Sequence, residues 1–329
     1  MSERIIVTGA TGFAGSHVLE YAREDARFIA SCRDASKLPE RNAHHAVEGD
    51  LRDEAFVARL AQQADVICHA AAWAELNGSV EDSRRNFLEP TLRLIDAAVR
   101  HGVKRFVFLS SVTSKPIEER RLHTSLPLEK IWAHYDAMMR IEAKLKEVSD
   151  RMQVVIVRAG FFTGKRYALG ILPILLPRLK THLVPYIEGG KTSMPLINGI
   201  DVAQALVLAS TVPLEGGCHV VDAVGKEVPT VKEVLRHLHE VYGYPMPHFS
   251  VPFGFAYLFA HAMRALHRVL PFDPLIVPSV VLLLEETHAN NDKAEALLGY
   301  KPKVGWKESI AMQIEEMNTR QHTPMRMNK

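Results

Sequence analysis

Disulfide frameworks, strong net charge and membrane-length apolar runs are all missing from this chain. Its three cysteines, Cys32, Cys68 and Cys218, are too scattered for a cross-linked scaffold or a zinc site and read as reduced core thiols in a reducing compartment. A formal net charge of +2 gives no electrostatic reason to expect nucleic acid as a partner. The apolar stretch "LIVPSVVLLL" at 275–284 is too short to cross a bilayer and is interrupted by Pro278. No signal peptide is recognisable, because "MSERIIVTGA" passes from a short polar start into a strand, so a cytoplasmic location is expected. Low-complexity segments and internal repeats are also missing. Histidine is abundant, yet His44/His45 and His237/His239 lack the i, i+4 spacing of a helical zinc site, and His101 and His123 fall in predicted loops. No metal is expected.

What remains is an ordinary globular composition, 47% apolar and 24% charged, on a chain long enough for one large domain or two intimate ones. Arg4–Thr8 is a short β-branched run, followed at once by "TGATGFAGSHVLEYAR". Gly9, Gly12 and Gly15 separate that strand from a helix with Val18, Leu19 and Ala22 on one face. Glycines there permit a tight turn, and the helix N-terminus can direct its free N–H groups at a diphosphate. A structural turn is the plainer reading, but a position between the first strand and the first helix favours the phosphate. Further strands are predicted at Arg27–Cys32, His45–Glu48, Val66–His69, Phe106–Leu109 and Val154–Val157, with helical patterns between them. This alternation predicts an α/β fold with a parallel sheet covered on both faces. The second strand runs into "SCRDASK", where Arg33 stands close to the place at which an NAD-selective site carries an acid. A guanidinium suits a 2′-phosphate, so NADP(H) is favoured over NAD(H), with Asp34 a competitor for the charge.

The motifs "TGATGFAG", "GDLRD", "HAAA", "FLSSV", "YDAMM", "RAGFFTG", "NGIDVAQA" and "LGYKP" span nearly the whole chain. In that order they resemble the extended short-chain dehydrogenases/reductases, close to the NAD-dependent epimerase/dehydratase and 3β-hydroxysteroid dehydrogenase branches. The resemblance implies a Rossmann-type doubly wound sheet over 1–163 plus 196–225, and a smaller, mostly helical substrate domain over 164–195 plus 226–329. It implies a cofactor held by Gly9, Thr11, Gly12, Phe13 and Gly15 at the first turn. Asp50 and the Leu51 backbone would meet the adenine, and Ala70, Ala71 and Ala72 would pass the ribose and diphosphate. Ser110, Tyr135 and Phe161 would complete the set. Without the resemblance, "DLRD" reads as a helix cap and "AAA" as tight strand packing.

By the same resemblance Ser111 hydrogen-bonds the substrate oxygen and Tyr135 is the acid/base. A lysine four residues on would lower the tyrosine pKa from its reference of about 10. Met139 stands there instead, and a thioether carries no charge. Sliding the register by one places His134 and Met138 at these positions, which supplies no lysine either. Lys115 or Lys130 could reach in from loops. In "RRNFLEPTLRLIDAA", Phe87 holds the family's asparagine position and Asn86 lies one early. Pro90 replaces a glycine and predicts a kink. The nucleotide-binding signals are thus intact while the proton-relay signals are degraded. Two readings stay open: an NAD(P)-dependent oxidoreductase that reduces a carbonyl or oxidises a secondary alcohol, and a weakened NADP(H)-binding sensor or structural protein. A nucleotide-sugar epimerase/dehydratase is a further alternative, although Arg166 and Arg178 are the nearby arginines for a second diphosphate. The resemblance also implies a homodimer through the helices carrying Asn86 and Tyr135, against which Pro90 counts.

In the C-terminal half, "PTVKEVLRHLHEVYG" reads as a helix capped by Thr230 and ended by Gly243. Phe255, Leu258, Phe259, Ala262, Leu266 and Val269 share a helical stripe, with His261, Arg264 and Arg268 across from it. Core packing between domains is the plain reading of that stripe. The sharper reading is an apolar pocket, or a peripheral membrane contact, serving a lipid-like or steroid-like substrate.

Overall fold

The structure is a computed structural model that describes residues 3–115, 122–167, 171–267, 269 and 274–322. Its strands are β1 (Ile5–Thr8), β2 (Phe28–Cys32), β3 (Val47–Glu48), β4 (Val66–His69), β5 (Arg105–Ser111), β6 (Gln153–Ala159), β7 (Phe161–Thr163), β8 (Tyr186–Ile187), β9 (Leu196–Asn198), β10 (Cys218–Ala223) and β11 (Ser250–Val251). The N-terminal helices are α1 (Phe13–Tyr21), α2 (Glu40–Ala43), α3 (Glu54–Gln63), α4 (Val80–Ser83), α5 (Glu89–Arg100), α6 (Leu128–Ile131) and α7 (Ala133–Glu147). They are followed by α8 (Ile171–Leu179), α9 (Gly199–Thr211), α10 (Val231–Tyr242), α11 (Phe253–His267), α12 (Pro278–Leu283), α13 (Asp292–Leu298) and α14 (Trp306–His322).

Seven strands form one parallel sheet in the order β10-β6-β5-β4-β1-β2-β3. Successive residues of β1 point to opposite faces, as a pleated strand requires. Ile6 packs with residues of α3, α5 and α7, whereas Ile5 and Val7 pack with those of α1, α9 and α13. Burial on both faces explains why β1, β4 and β6 read as continuous apolar runs rather than alternating ones. This is the doubly wound α/β sheet expected from the sequence. The order turns at β1, which has β4 on one side and β2 on the other. The chain leaves these carboxyl ends in opposite directions and opens a crevice there.

Local chemistry fixes the helix ends. Asp53 caps α3 by accepting from the N–H groups of Ala55 and Phe56, so "DLRD" does serve as a cap. Thr230 and Glu233 form a reciprocal capping box on α10, which ends at Gly243 with φ 72°. Pro90 does not break its helix. Arg84–Leu88 forms a π-helical turn between α4 and α5, with Pro90 in the first turn of α5. Widening the preceding turn accommodates the ring and the missing N–H that an uninterrupted α-helix would not tolerate.

A third core, including Leu172, Leu176, Val234, Leu238, Trp306 and Ile310, lies under the C-terminal segments and takes in Val112 and Phe161. Helix α11 departs from the core-packing expectation. Phe253, Ala256, Tyr257 and Ala260 are its buried face, whereas Phe255, Leu258, Phe259, Leu266 and the following Val269 are exposed. Arg268 lies outside the described residues. Among the described residues, no helix is long and apolar enough to cross a membrane.

Candidate active site

A cleft of about 1230 Å³ runs from the carboxyl ends of β1, β2 and β4 to the apolar surface of α8, α11 and α12. That exceeds the roughly 300–1,000 Å³ of ordinary small-ligand pockets and leaves room for a dinucleotide with a second molecule. At one end, Gly9 turns the chain with φ 68°, and a Cβ there would lie 2.7 Å from the backbone of Ala71. Gly12 caps α1 with extended backbone and without a side-chain bond, leaving the first N–H groups of the helix to a ligand. Gly15 is not on the cleft wall. It is the point at which α1 packs on the turn, where a Cβ would overlap the Gly9 carbonyl. Thr11, Phe13, Arg33, Asp50, Leu51, Ala70, Ala71, Ala72, Ser110, Ser111 and Phe161 all line the cleft. These residues fit a nicotinamide dinucleotide: small side chains beside a free helix N-terminus for the diphosphate, and Asp50 with Arg33 at the adenosine end.

Asp50 is held below the usual carboxylate range by its hydrogen bonds with Arg52, the closest at 2.6 Å. Asp34 accepts from the Ser36 backbone N–H and hydroxyl and pairs with Lys37 at 3.5 Å. Arg33 is exposed and has no ion pair among the described residues.

Beneath the middle of the cleft lies a chain the sequence did not reveal. His69 Nδ1 meets Thr8 Oγ1 at 2.7 Å, and its Nε2 meets Thr91 Oγ1 at 3.0 Å. Burial pushes this imidazole down to about 3, so it is neutral near pH 7 and ties β1, β4 and α5 together. Next to it, Ser110 donates to Glu142 Oε1 at 2.6 Å, Ser114 donates to the same oxygen at 2.6 Å, and Arg158 clamps the carboxylate from 2.7 Å. The Ser110 hydroxyl is therefore engaged in structure. Ser111 differs: its Oγ accepts from Thr113 Oγ1 at 2.9 Å, which leaves its own O–H free to donate into the cleft.

The helical phase of α7 separates two neighbours. His134 and Met138 line the cleft, but Tyr135 does not. Tyr135 is fully buried in the core cluster that contains Phe87, Phe108 and Ile131. The structure thus does not bring the phenol to Ser111, either as acid/base or as cofactor contact, and the register shifted by one position is the one that faces the ligand space. His134 packs against Phe87 and Trp132 at ring separations of 4.7 and 5.2 Å. Burial holds its pKa down to about 4, opposed by the Trp73 carbonyl. Its Nδ1 is buried without a hydrogen-bond partner among the described residues. Among the described residues no lysine on the cleft wall replaces the one missing beside it. Lys115 is locked in an ion pair with Asp222 at 2.6 Å and donates to the His288 carbonyl, and Lys130 is exposed and off the cleft wall.

The far half of the cleft is apolar, with Ile174, Leu175, Val231, Leu235, Ile276 and Val280 among its walls. Arg178 reaches it, but its guanidinium is taken up by the carbonyls of Ile174, Pro274 and Leu275. Arg166 is not on the wall. Among the described residues no group of three or more His, Cys, Asp or Glu side chains is placed to hold a metal ion.

A doubly wound sheet with a glycine turn at its switch point and a long cleft beside it defines a dinucleotide-dependent enzyme of the Rossmann class. The chain belongs to the NAD dependent epimerase/dehydratase family, which it matches over residues 5–221. It is 25% identical over 354 aligned residues to 3beta-hydroxysteroid-dehydrogenase/decarboxylase isoform 2 of Arabidopsis thaliana, an alignment covering 95% of this chain and 62% of that relative's length. It is 24% identical to the 4-hydroxy-2-methyl-3-oxo-4-farnesyl-3,4-dihydroquinoline-1-oxide ketoreductase of Stigmatella aurantiaca, covering 93% of this chain and 94% of the relative. Among solved structures, the UDP-glucose 4-epimerase of Thermus thermophilus in complex with NAD has the same fold. The TM-score is 0.68 at 23% identity, covering 96% of this chain and 99% of that one.

Proposed function

We propose that the protein is an NADP(H)-preferring oxidoreductase acting on the carbonyl, or the corresponding secondary alcohol, of an apolar lipid-like or steroid-like molecule. One observation carries this reading: the glycine turn, the hydroxyl of Ser111, the imidazole of His134 and the apolar far wall share one cleft. The bound cofactor would supply the hydride chemistry. Ser111 orients the reacting oxygen through its available O–H. His134, neutral near pH 7, gives its one N–H to the Trp73 carbonyl, which leaves the other ring nitrogen to accept the proton of an alcohol. The apolar wall excludes water from that oxygen. The steroid- and farnesyl-named relatives agree with such a wall, and the engaged Arg178 weighs against a nucleotide sugar.

Preference for the 2′-phosphate rests on Arg33, because Asp50 is tied to Arg52 and Asp34 to Ser36 and Lys37. The family is described as NAD dependent and the solved neighbour is in complex with NAD, so the preference is supported by Arg33 alone.

The second reading, a cofactor-binding sensor, is favoured by the missing lysine and the buried phenol. Steady-state NADPH oxidation against a panel of apolar ketones separates the two. Ser111→Ala and His134→Asn should each lower kcat/KM by about 10²–10⁴-fold, the usual scale of proton-handling groups. Retained activity in both would overturn the assignment. Tight NADPH binding with no turnover on any ketone would establish the sensor.

A further inference from the structure

Behind the cleft wall, one buried carboxylate links the strand end that carries Ser111 to the helix that carries His134. Glu142 stands on α7 about two turns beyond His134 and is 2% exposed. Its Oε1 accepts from the Ser110 hydroxyl and from the Ser114 hydroxyl, each at 2.6 Å. The single proton of Ser114 is shared, because the Ser111 carbonyl also lies 2.6 Å from its Oγ. The chain is thus tied to Glu142 immediately before Ser111 and, through Ser114, at Ser111 itself. Arg158 lies beside Ser110 on the neighbouring strand β6. It holds the same carboxylate, with Nη2 at 2.7 Å from Oε2 and Nε at 3.2 Å from Oε1.

Stability alone does not account for this arrangement. Removing two ions from water is costly, and apolar side chains of similar volume often hold a core at least as well. Glu142, Arg158 and Ser114 are all off the cleft wall, so none of them touches a ligand there. What the carboxylate supplies is direction. Apolar contacts fill a volume but leave a turn free to shift, whereas short, charge-assisted bonds from Ser110, Ser114 and Arg158 fix it. Ser111 caps the tight turn Val112–Ser114, and its Oγ accepts from the backbone N–H and hydroxyl of Thr113. Any movement of that turn carries the Ser111 O–H away from the reacting oxygen, and a misplacement of about 1 Å can lower a rate by about 10²-fold.

We propose that Glu142 is a positioning residue: through Ser110 and Ser114 it aims the Ser111 hydroxyl at the substrate oxygen and holds it in place relative to His134. The inference rests on the reaction proposed above, and a mutant cycle on the full chain separates the two. NADPH-dependent turnover of the apolar ketone that wild type reduces best is measured for Glu142→Leu combined with Arg158→Met, and for Ser114→Ala. Each is then repeated in a Ser111→Ala background. The paired replacement strands no charge, and Ser114→Ala removes the bridge to the Ser111 carbonyl while keeping the ion pair. Each should lower kcat by about tenfold or more, with KM and the NADPH Kd within about twofold of wild type. Neither should lower kcat further once Ser111 is alanine, because effects that pass through one group do not add. Unchanged kcat in either variant would overturn the proposal. So would the same fold-loss with and without the Ser111 hydroxyl, which marks a merely structural role. A wild type without turnover, or Ser111→Ala as active as wild type, would instead overturn the reaction itself and this role with it.

Discussion

Replacing Gly9 by alanine tests the cofactor seat at its tightest point. Gly9 has φ 68°, and an added Cβ would sit 2.7 Å from both N and Cα of Ala71. The left-handed conformation alone costs an alanine about 1–2 kcal/mol. Relieving the overlap must move the ends of β1 and β4 apart, because the obstructing atoms are backbone and cannot rotate away. A total of about 2–4 kcal/mol follows, which for a chain of this size lowers Tm by roughly 3–6 °C. Gly102→Ala is the matched comparison: φ is 72° but nothing lies within 4 Å of the new Cβ. It should show the conformational cost alone, about 1–2 kcal/mol, and leave cofactor binding unchanged. In titration calorimetry, Gly9→Ala should weaken NADPH about 10–100-fold, the equivalent of one or two charge-assisted bonds to the diphosphate. Equal NADPH affinity in Gly9→Ala and wild type would refute the seat, whatever the Tm.

Other outcomes follow from the same geometry. Arg33→Ala should weaken NADPH by about 10–100-fold while changing NADH affinity little, and an equal loss for both would remove the 2′-phosphate assignment. Arg158→Met strands the Glu142 carboxylate in the core beneath Ser110, at a cost of about 3–5 kcal/mol in urea unfolding. The double substitution with Glu142→Leu should recover much of that loss. Acid should destabilise the protein through His69 and His134, whose folded pKa values of about 3 and about 4 lie below the unfolded value of about 6.5. The unfolded chain binds these protons first, so this stability is complete above pH 6.5 and is lost as pH falls toward 4 and then 3. At pH 5 the loss is on the order of 2 kcal/mol per histidine, and a flat stability profile between pH 7 and 5 would contradict the burial of both.

Much of the frame was legible because local signals and tertiary demands agree. Val66–His69 has the bounds its apolar run suggests, and Thr230 and Gly243 end α10 where their cap chemistry requires. The glycine turn was legible for the same reason. Which side of α7 faces the cleft was not, because matching motifs counts positions whereas the helix is rotated by its packing. Tyr135 is drawn into the core with Phe87 and Ile131, and that rotation presents His134 and Met138 to the cleft. The one-position slide did contain that answer, but it offered no lysine to recommend it. The Thr8–His69–Thr91 chain joins residues far apart in sequence, so no local pattern announces it. Pro90 promised a kink because a regular α-helix was assumed, and the π turn supplies another solution. The stripe on α11 has the periodicity of a buried face, and periodicity alone does not tell a packed face from an exposed one.

Trp73 and Trp132 stand on the cleft wall, whereas Trp306 lies in a separate core. Titration of the protein with NADPH, followed by energy transfer from tryptophan to the reduced nicotinamide, is therefore the most direct test of where the cofactor sits. We expect saturable transfer that persists in Trp306→Phe and disappears when Trp73 and Trp132 are both replaced by phenylalanine. Transfer that depends on Trp306, or none at any NADPH concentration, would contradict the account.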